Sequence, residues 1–550
     1  MMKKSTLFFL SLLLAGIPAL TQTPAQAREF LYYHRYASAE TALHESIRQE
    51  PANGESWLLL TKSYLIQNKL QKAVDSLKLA PASLNEDPFF LIAKGAILLY
   101  NKKIDSAHFY FDKAIDDTKG KNAAVLSAAA DMEIRSGNGD MNYALSLIEK
   151  AKKRDKNNAS LYVLEGNAFR NLHNGGEAYR SYMSAIQKNK NHAEAYYLLG
   201  DIFKSQKNQE LYTENFLKAI QADKNYAPAY YELYNHYVYT KPDVQKAMQY
   251  FKQYEALSDK TIQHDYMYTD LLYLTGEYAK AISNAKELIN REGNQVQARL
   301  YKLIAYSYAE LKDSSLALNY MRNYFDREID SNLIAKDFET MANLYFSKSD
   351  NDSAIVFYQK AAAVSKDSTT LFNSYKNLAN LASAKKDYTA QSKWLGFYYQ
   401  GNTNASNVDL FNWGIAAYRS GNYILADSVF GLYTTQYPEQ GFGYYWRARS
   451  NAAIDTAMAE GRAIPYYTKL VETIAGDSIE IAKDSLSSSD KKWIIEAYSY
   501  MAVYNANTLK EYDDAIEYFD RILEIDPENV NAKKYIPILE ENVKKGTENN

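Results

Sequence analysis

Small residues set the beat of this chain. Ala39, Ala73, Ala107, Ala144 and Ala178 stand 34, 34, 37 and 34 residues apart. Tyr212 breaks the series, and Ala247, Ala281, Ala317, Ala354, Ala390 and Ala426 resume it at intervals of 34 to 37. Ala463 and Ala515 continue it across a longer insertion. A second register runs beside the first, in which Ala185–Ala193 matches Ala219–Ala227 at an offset of 34, as Ala80 matches Ala114 and Ala151 matches Ala185. Large apolar residues stand between the alanines on two helical stretches per unit. Length alone would suggest several globular domains, but each unit of this kind exposes faces that only its neighbours can cover, which predicts one elongated body.

The small residues have a packing reason. Two antiparallel helices approach closely only where one presents Gly or Ala to a large side chain of the other. A bulky residue in that slot overpacks the crossing at a cost of roughly 1–3 kcal/mol. Gly95, Gly166, Gly200, Ala305, Gly414, Ala448 and Ala502 take the slot on the first helix of their units. Sharp turns then join the helices at Gly276-Glu277-Tyr278, Gly421-Asn422-Tyr423 and Lys386-Asp387-Tyr388. The aromatic that follows each turn is assigned to the core by apolar periodicity.

The unit beginning at Gly54 carries Trp57, Leu60, Tyr64, Ala73, Leu77 and Ala80, and the next carries Leu91, Gly95, Leu98, Ala107, Phe111 and Ala114. Later units read Tyr162, Gly166, Phe169, Ala178, Tyr182, Ala185, and Tyr196, Leu199, Gly200, Phe203, Phe216, Ala219. The last runs from Ala502 through Ala515, Phe519 and Ile522 to Pro527. This succession of large, small and aromatic positions resembles the tetratricopeptide repeat (TPR) over nearly the whole chain after its leader. The resemblance implies an all-α, right-handed superhelical solenoid of antiparallel helix pairs, about 13 units long.

It also implies a binding face, because the first helix of each pair lines the concave side of such arrays. Carried over to this sequence, the candidate ligand-binding residues are Asn167, Arg170 and Asn171, then Tyr197, Asp201 and Lys204, then Tyr231 and Asn235. Further along they are Phe411, Ile415 and Arg419, followed by Tyr445 and Arg449. The family's familiar clamp for a carboxyl terminus places a Lys where this chain has Val163, Tyr197 or Tyr231, so chaperone-tail recognition is not expected. A groove lined by tyrosine and asparagine suits extended peptide, with rings packing on side chains and amides bonding the backbone.

The ends and interruptions complete the plan. Lys3 and Lys4, an apolar stretch from Ser5 to Leu20, and Ala25-Gln26-Ala27 form a cleavable export leader over residues 1–27, with cleavage expected after Ala27. The array then runs over 28–400, a Gly/Asn/Ser linker over 401–407, further units over 408–475, a Ser/Asp-rich insertion over 476–492, a final unit over 493–529, and a capping helix and tail over 530–550. Asp490 is the expected N-cap of the helix carrying Trp493.

Composition narrows function mainly by exclusion. The chain has no cysteine, which removes disulfides, thiolate metal sites, a Cys nucleophile and a lipid-bearing cysteine. A formal net charge of −3 with interspersed signs leaves no basic stripe for nucleic acid and no polybasic segment for anionic lipid. The seven histidines are scattered, phosphate-cradling glycine loops are absent, and Asp350-Asn351-Asp352 lacks the central Gly and terminal Glu of a calcium loop. Fifty tyrosines against 21 Phe and 5 Trp point to half-buried rings with wet hydroxyls. The expectation is a non-enzymatic, periplasmic scaffold without cofactor or metal that binds protein or extended peptide, with glycan or cell-wall binding through the aromatic groove as the alternative. Ala178→Leu tests the register: it should lower the melting temperature by several degrees, and an unchanged melt would place Ala178 outside the helix crossing.

Overall fold

The structure, a computed structural model, describes residues 23–476 and 486–548. The chain divides between Asn294 and Gln295 into two compact units. Among the described residues there is no strand. The first unit holds eight helix pairs, from Pro24–Tyr32 with Tyr36–Gln49 to Ile262–Leu274 with Tyr278–Glu292. The second holds six, from Arg299–Glu310 with Ser314–Phe325 to Ser488–Tyr504 with Tyr512–Ile525, followed by Val530–Glu548. These fourteen described pairs are one more than the resemblance implied. The fold is an all-α solenoid.

Most pairs are closed by the same turn. After the helix Ala159–Asn171, the N–H of His173 donates to the carbonyl of Arg170 (2.9 Å) and that of Asn174 to Phe169 (2.9 Å), with His173 at φ 55°. This doubly bonded stop satisfies two terminal carbonyls. Asn174 then N-caps the next helix by accepting from Glu177 N–H (3.1 Å). The left-handed residue recurs at Asn68, Lys102, Lys207, Lys312, Ser349 and Lys386, and glycine takes it at Gly276 and Gly421. The turn is therefore fixed by backbone geometry even where a β-carbon makes that conformation costly.

The position four residues after each N-cap faces the crossing. Ala39, Ala73, Ala107, Ala144, Ala178, Ala247, Ala281, Ala317, Ala354, Ala426 and Ala515 occupy it with no exposed surface. Two members of the sequence series do not. The cap Asp387 places Gln391 at the crossing and leaves Ala390 half-buried beside it, and Ala463 is itself an N-cap, with Tyr467 in the slot. Tyr212 fits in the slot because its hydroxyl meets His236 Nδ1 at 2.6 Å. The first helix there is short and ends in a π-turn, His236–Thr240. The aromatics after the turns are half-buried instead of core: Tyr278 and Tyr423 sit at the first position of the second helix and lean on Tyr273 and Tyr418.

Segment 401–407 lies within the second unit, between Tyr388–Gly401 and Asn407–Arg419, and Ser406 caps the latter in a reciprocal box with Asp409. Most of the insertion, residues 477–485, falls outside the described residues. Ser487, not Asp490, caps the following helix. Asp490 sits one turn in and accepts from Ser487 N–H (3.2 Å) while Ser487 Oγ accepts from Asp490 N–H (3.1 Å). Residues 1–22 of the expected leader are likewise outside the described residues, and Ala27 lies fully buried within Pro24–Tyr32.

A β-carbon built on Gly166 falls 2.3 Å from the Tyr182 ring, and one on Gly200 2.5 Å from the Phe216 ring. Tyr182 cannot yield, because it is fully buried and its hydroxyl donates to Asn167 Oδ1 (2.7 Å). Gly166→Ala gains about 1 kcal/mol of helix propensity against an overpacking cost of roughly 1–3 kcal/mol. The expected result is a lower melting temperature, partly restored when Tyr182→Leu is added; a rise in the single variant would contradict the crossing.

Candidate binding face

The first helices of successive pairs lie beside one another, and charged side chains staple them together. Arg170 Nη2 meets Asp201 Oδ2 (3.3 Å), and Lys204 pairs with Glu232 one unit later. Within the second unit, Lys302 meets Asp337 (3.1 Å), Lys376 meets Asp409 (3.4 Å) and Arg449 meets Glu496 (3.3 Å). Much of the polarity of this face is thus spent between repeats. Asn171 is spent too, since its Nδ2 donates to the carbonyl of Ile134 at the end of the preceding first helix (2.7 Å).

In the first unit the path of the chain returns on itself. Tyr33 Oη donates to Asp223 Oδ2 (2.9 Å), and the N–H of Glu194 donates to Tyr32 Oη (3.3 Å). Asp259 collects the N–H groups of Ala37 (2.7 Å) and Ser38 (3.1 Å), the Ser38 hydroxyl (2.5 Å) and Arg35 Nε (3.5 Å). Residues 32–38 therefore act as a strap joined to helices about two hundred positions later. Beside it lies a half-open chamber of about 1070 Å³, lined by Tyr32, Lys62, Asp131, Arg135, Glu194 and Tyr197 among others. A smaller cavity of about 440 Å³ shares His34, Tyr36 and Tyr197 with it and continues to Tyr231, Tyr254 and His264.

A tetratricopeptide-repeat family model matches residues 25–88, and a second matches 193–226 and 498–529. The matched segments coincide with the helix pairs described above. The chain is a tetratricopeptide-repeat protein. Solved structures similar to this TPR protein include the C-terminal part of a TPR repeat-containing protein from Cytophaga hutchinsonii, at 28% identity over 48% of this chain and 97% of that one, with a TM-score of 0.30. A tetratricopeptide repeat protein from Parabacteroides merdae is 15% identical over 52% of this chain and 96% of that one, with a TM-score of 0.22. Yeast Tom70 is 14% identical over 67% of this chain and 90% of that one, with a TM-score of 0.28. A search of curated proteins finds no match.

The candidate residues fall into three settings. Asn167, Arg170, Asn171 and Tyr197 line the chamber, and Tyr197 and Tyr231 line the smaller cavity. Asp201 and Lys204 are held in the inter-repeat pairs, and Asn235 is half-buried just before the π-turn. In the second unit Phe411 is half-buried among Phe430, Tyr433 and Phe442, and Ile415 packs on the same core. Tyr445 is buried, stacked on Trp493 at 4.9 Å with its hydroxyl donating to Glu496 (2.9 Å), and Arg449 lies over the Tyr445 and Trp446 rings. Arg419 is exposed and lies 5.7 Å over the Tyr388 ring. The sequence reading missed Lys62, Asp131, Arg135 and Glu194. Asp131 and Arg135 sit on the first helix Ala123–Arg135, where the rule applied to later units would have found them. No local signal marks the strap.

The chamber's charges are set by burial and by one another. Burial alone would push the Asp131 carboxyl up, but Arg135 Nε (2.6 Å) and Lys62 Nζ (2.6 Å) outweigh it and hold it down at about 2. The opposite holds for Glu194, where burial raises the carboxyl above its usual range against the pull of Arg135 and Lys62. Glu194 lines the chamber and keeps some exposed surface, with protein crowding it on the remaining sides. His34 lines both cavities and keeps exposed surface, and desolvation by the surrounding protein with help from Arg135 lowers it to about 4. Because its folded value lies below the usual one near 6.5, the unfolded chain takes up the proton first. Stability is therefore full above about pH 6.5 and falls as pH drops toward 4. His192, His236 and His264, also lowered by burial, act in the same direction. The melting temperature should fall between pH 6.5 and 4.5, and less steeply in His34→Asn, since Asn accepts the φ of 58° there. Identical slopes would remove His34 from the linkage.

Proposed function

We propose that this TPR protein is a non-enzymatic scaffold of the bacterial cell envelope, exported by its N-terminal leader, that holds an extended segment of a protein partner on the faces of its first helices. The observation that carries the reading is the tandem array itself. Stacked first helices present a long inner surface, and after the inter-repeat staples are formed that surface still keeps rings and charges in reach of a ligand, among them Tyr231, Phe411 and Arg419. Export rests on Lys3, Lys4, the apolar stretch to Leu20 and the Ala25-Gln26-Ala27 site. Among the described residues no helix is long and apolar enough to cross a membrane, and no three His, Asp or Glu side chains converge on a metal-sized site.

Affinity capture from an envelope fraction should recover one protein in stoichiometric amount. Arg419→Glu, at an exposed position, should cut that recovery at least tenfold without shifting the melt. Repeated recovery of nothing, or residence of the chain in the cytosol, would sink the reading. A melting temperature raised by soluble peptidoglycan fragments and unmoved by peptide would replace it with the glycan alternative.

A further inference from the structure

We propose that the strap is a clasp: residues 32–38 lock the first helix pair onto the sixth to eighth pairs, open and close as one piece, and uncover Tyr226 when open. This device goes beyond the proposed partner and holds whatever that partner is. It lies wholly within the first unit.

The strap is the turn of the first pair, and it moves as a rigid tip. Arg35 N–H donates to the Phe30 carbonyl (2.8 Å) and His34 N–H to that of Leu31 (3.2 Å), with His34 left-handed at φ 58°. The flanking helices Pro24–Tyr32 and Tyr36–Gln49 are anchored in one core through Ala27, Leu31, Ala39 and Leu43. Contacts made by this tip therefore form and break together. They reach a different core, where Tyr32 and Tyr33 pack against the cluster of Ala193, Phe216, Ala219 and Tyr226.

The bonds across this seam are reciprocal helix caps. The helix Tyr36–Gln49 starts at Arg35, whose side chain caps nothing, so the N–H groups of its first turn need an acceptor. Asp259, just before the eighth pair, supplies it by accepting from Ala37 N–H (2.7 Å) and Ser38 N–H (3.1 Å). The helix Ala193–Ser205 starts at His192, which likewise caps nothing, and Tyr32 Oη accepts from Glu194 N–H (3.3 Å). Each side supplies a cap that the other lacks. Tyr33 Oη on Asp223 (2.9 Å), with Ser38 Oγ (2.5 Å) and Arg35 Nε (3.5 Å) on Asp259, completes the grip. Tyr32 and Tyr33 are only half-buried, and His34 and Ala37 are exposed. A seam of few buried contacts and solvent-reachable hydrogen bonds opens well below the cost of global unfolding.

What lies beneath the tip keeps closure marginal. Tyr226 is fully buried, with Tyr32 at 5.2 Å, Tyr197 at 5.7 Å and His34 at 6.4 Å from its ring, and two of these three rings belong to the clasp. Its hydroxyl has no hydrogen-bond partner among the described residues. A buried donor left unpaired opposes burial, and water reaches it as the tip withdraws. Hydration of that group offsets part of the bonding lost at the seam, so the closed and open forms lie close in free energy. In a plain solenoid each pair feels only its neighbours, whereas the clasp makes the first pair and the eighth respond to each other. Anything that binds Tyr226 or the rings around it binds the open form and competes with closure.

Amide hydrogen exchange on the whole chain, resolved to single residues, is the test. In the wild type, Ala37, Ser38 and Glu194 should show protection within threefold of one another and at least tenfold below that of Ala129 and Ala130 in a helix interior. Tyr32→Phe removes one hydroxyl and should speed exchange at least threefold at Ala37 and Ser38, which it does not touch. Asp259→Ala should do the same at Glu194. Tetranitromethane should nitrate Tyr226 at least threefold faster in either variant than in the wild type. The clasp is overturned if each substitution speeds only the amides it bonded directly, or if Tyr226 nitration stays unchanged. Wild-type exchange of the three amides only through global unfolding also overturns it, and that result needs no variant to fold.

Discussion

A glycine pressed against an aromatic ring is the contact on which the rest of the molecule rests. Where Gly166 meets Tyr182, Gly95 meets Phe111, Gly200 meets Phe216 and Gly414 meets Phe430, the axes of two helices come as close as their backbones allow. The alanine four residues after each cap completes the crossing from the other side. That proximity fixes the pair as a rigid unit, and a rigid unit with two apolar faces must stack. The ring does more than fill space in one case: the Tyr182 hydroxyl reaches out of the core to Asn167, so that the packing of the crossing also orients a side chain on the chamber wall.

The crossing tolerates exceptions where polarity is answered locally. Tyr212 occupies an alanine slot and its hydroxyl finds His236, beside a first helix that stops early and unwinds through a π-turn. Gln391 and Tyr467 occupy others. The turns show the same economy. Lysine stands in the left-handed position at Lys102, Lys207, Lys312 and Lys386, because two carbonyls are satisfied there whatever the side chain and the lysine stem lies in solvent.

Inter-repeat staples and the strap convert this regular array into something less uniform. Pairs such as Arg170–Asp201 and Lys302–Asp337 spend the polar residues that a repeat pattern would offer to a ligand. Only partly exposed, each contributes modestly to stability, but together they set the spacing of the first helices. In the first unit the strap borders a half-open space around Asp131, Arg135 and Glu194, where burial raises the Glu194 carboxyl while Arg135 and Lys62 hold that of Asp131 down.

The repeat was legible in the sequence because a helix crossing is a local demand: the slot, the large residue four positions on and the turn all lie within one period. Ala178 and Gly166 could therefore be placed from spacing alone, while Ala390 was misplaced by one residue because only the cap at Asp387 fixes the frame there. The candidate face was legible as a set of positions and not as a site. Asn171 and Tyr445 look the same in sequence as Arg419, yet the first bonds a neighbouring carbonyl, the second is buried, and the third is free to the solvent. Which of them a ligand can touch depends on what the next repeat brings beside them. The chamber was not legible at all, since it exists only because Tyr32, Tyr33 and Ser38 meet residues about two hundred positions away. Curvature accumulated over many repeats decides that meeting, and no single repeat encodes it.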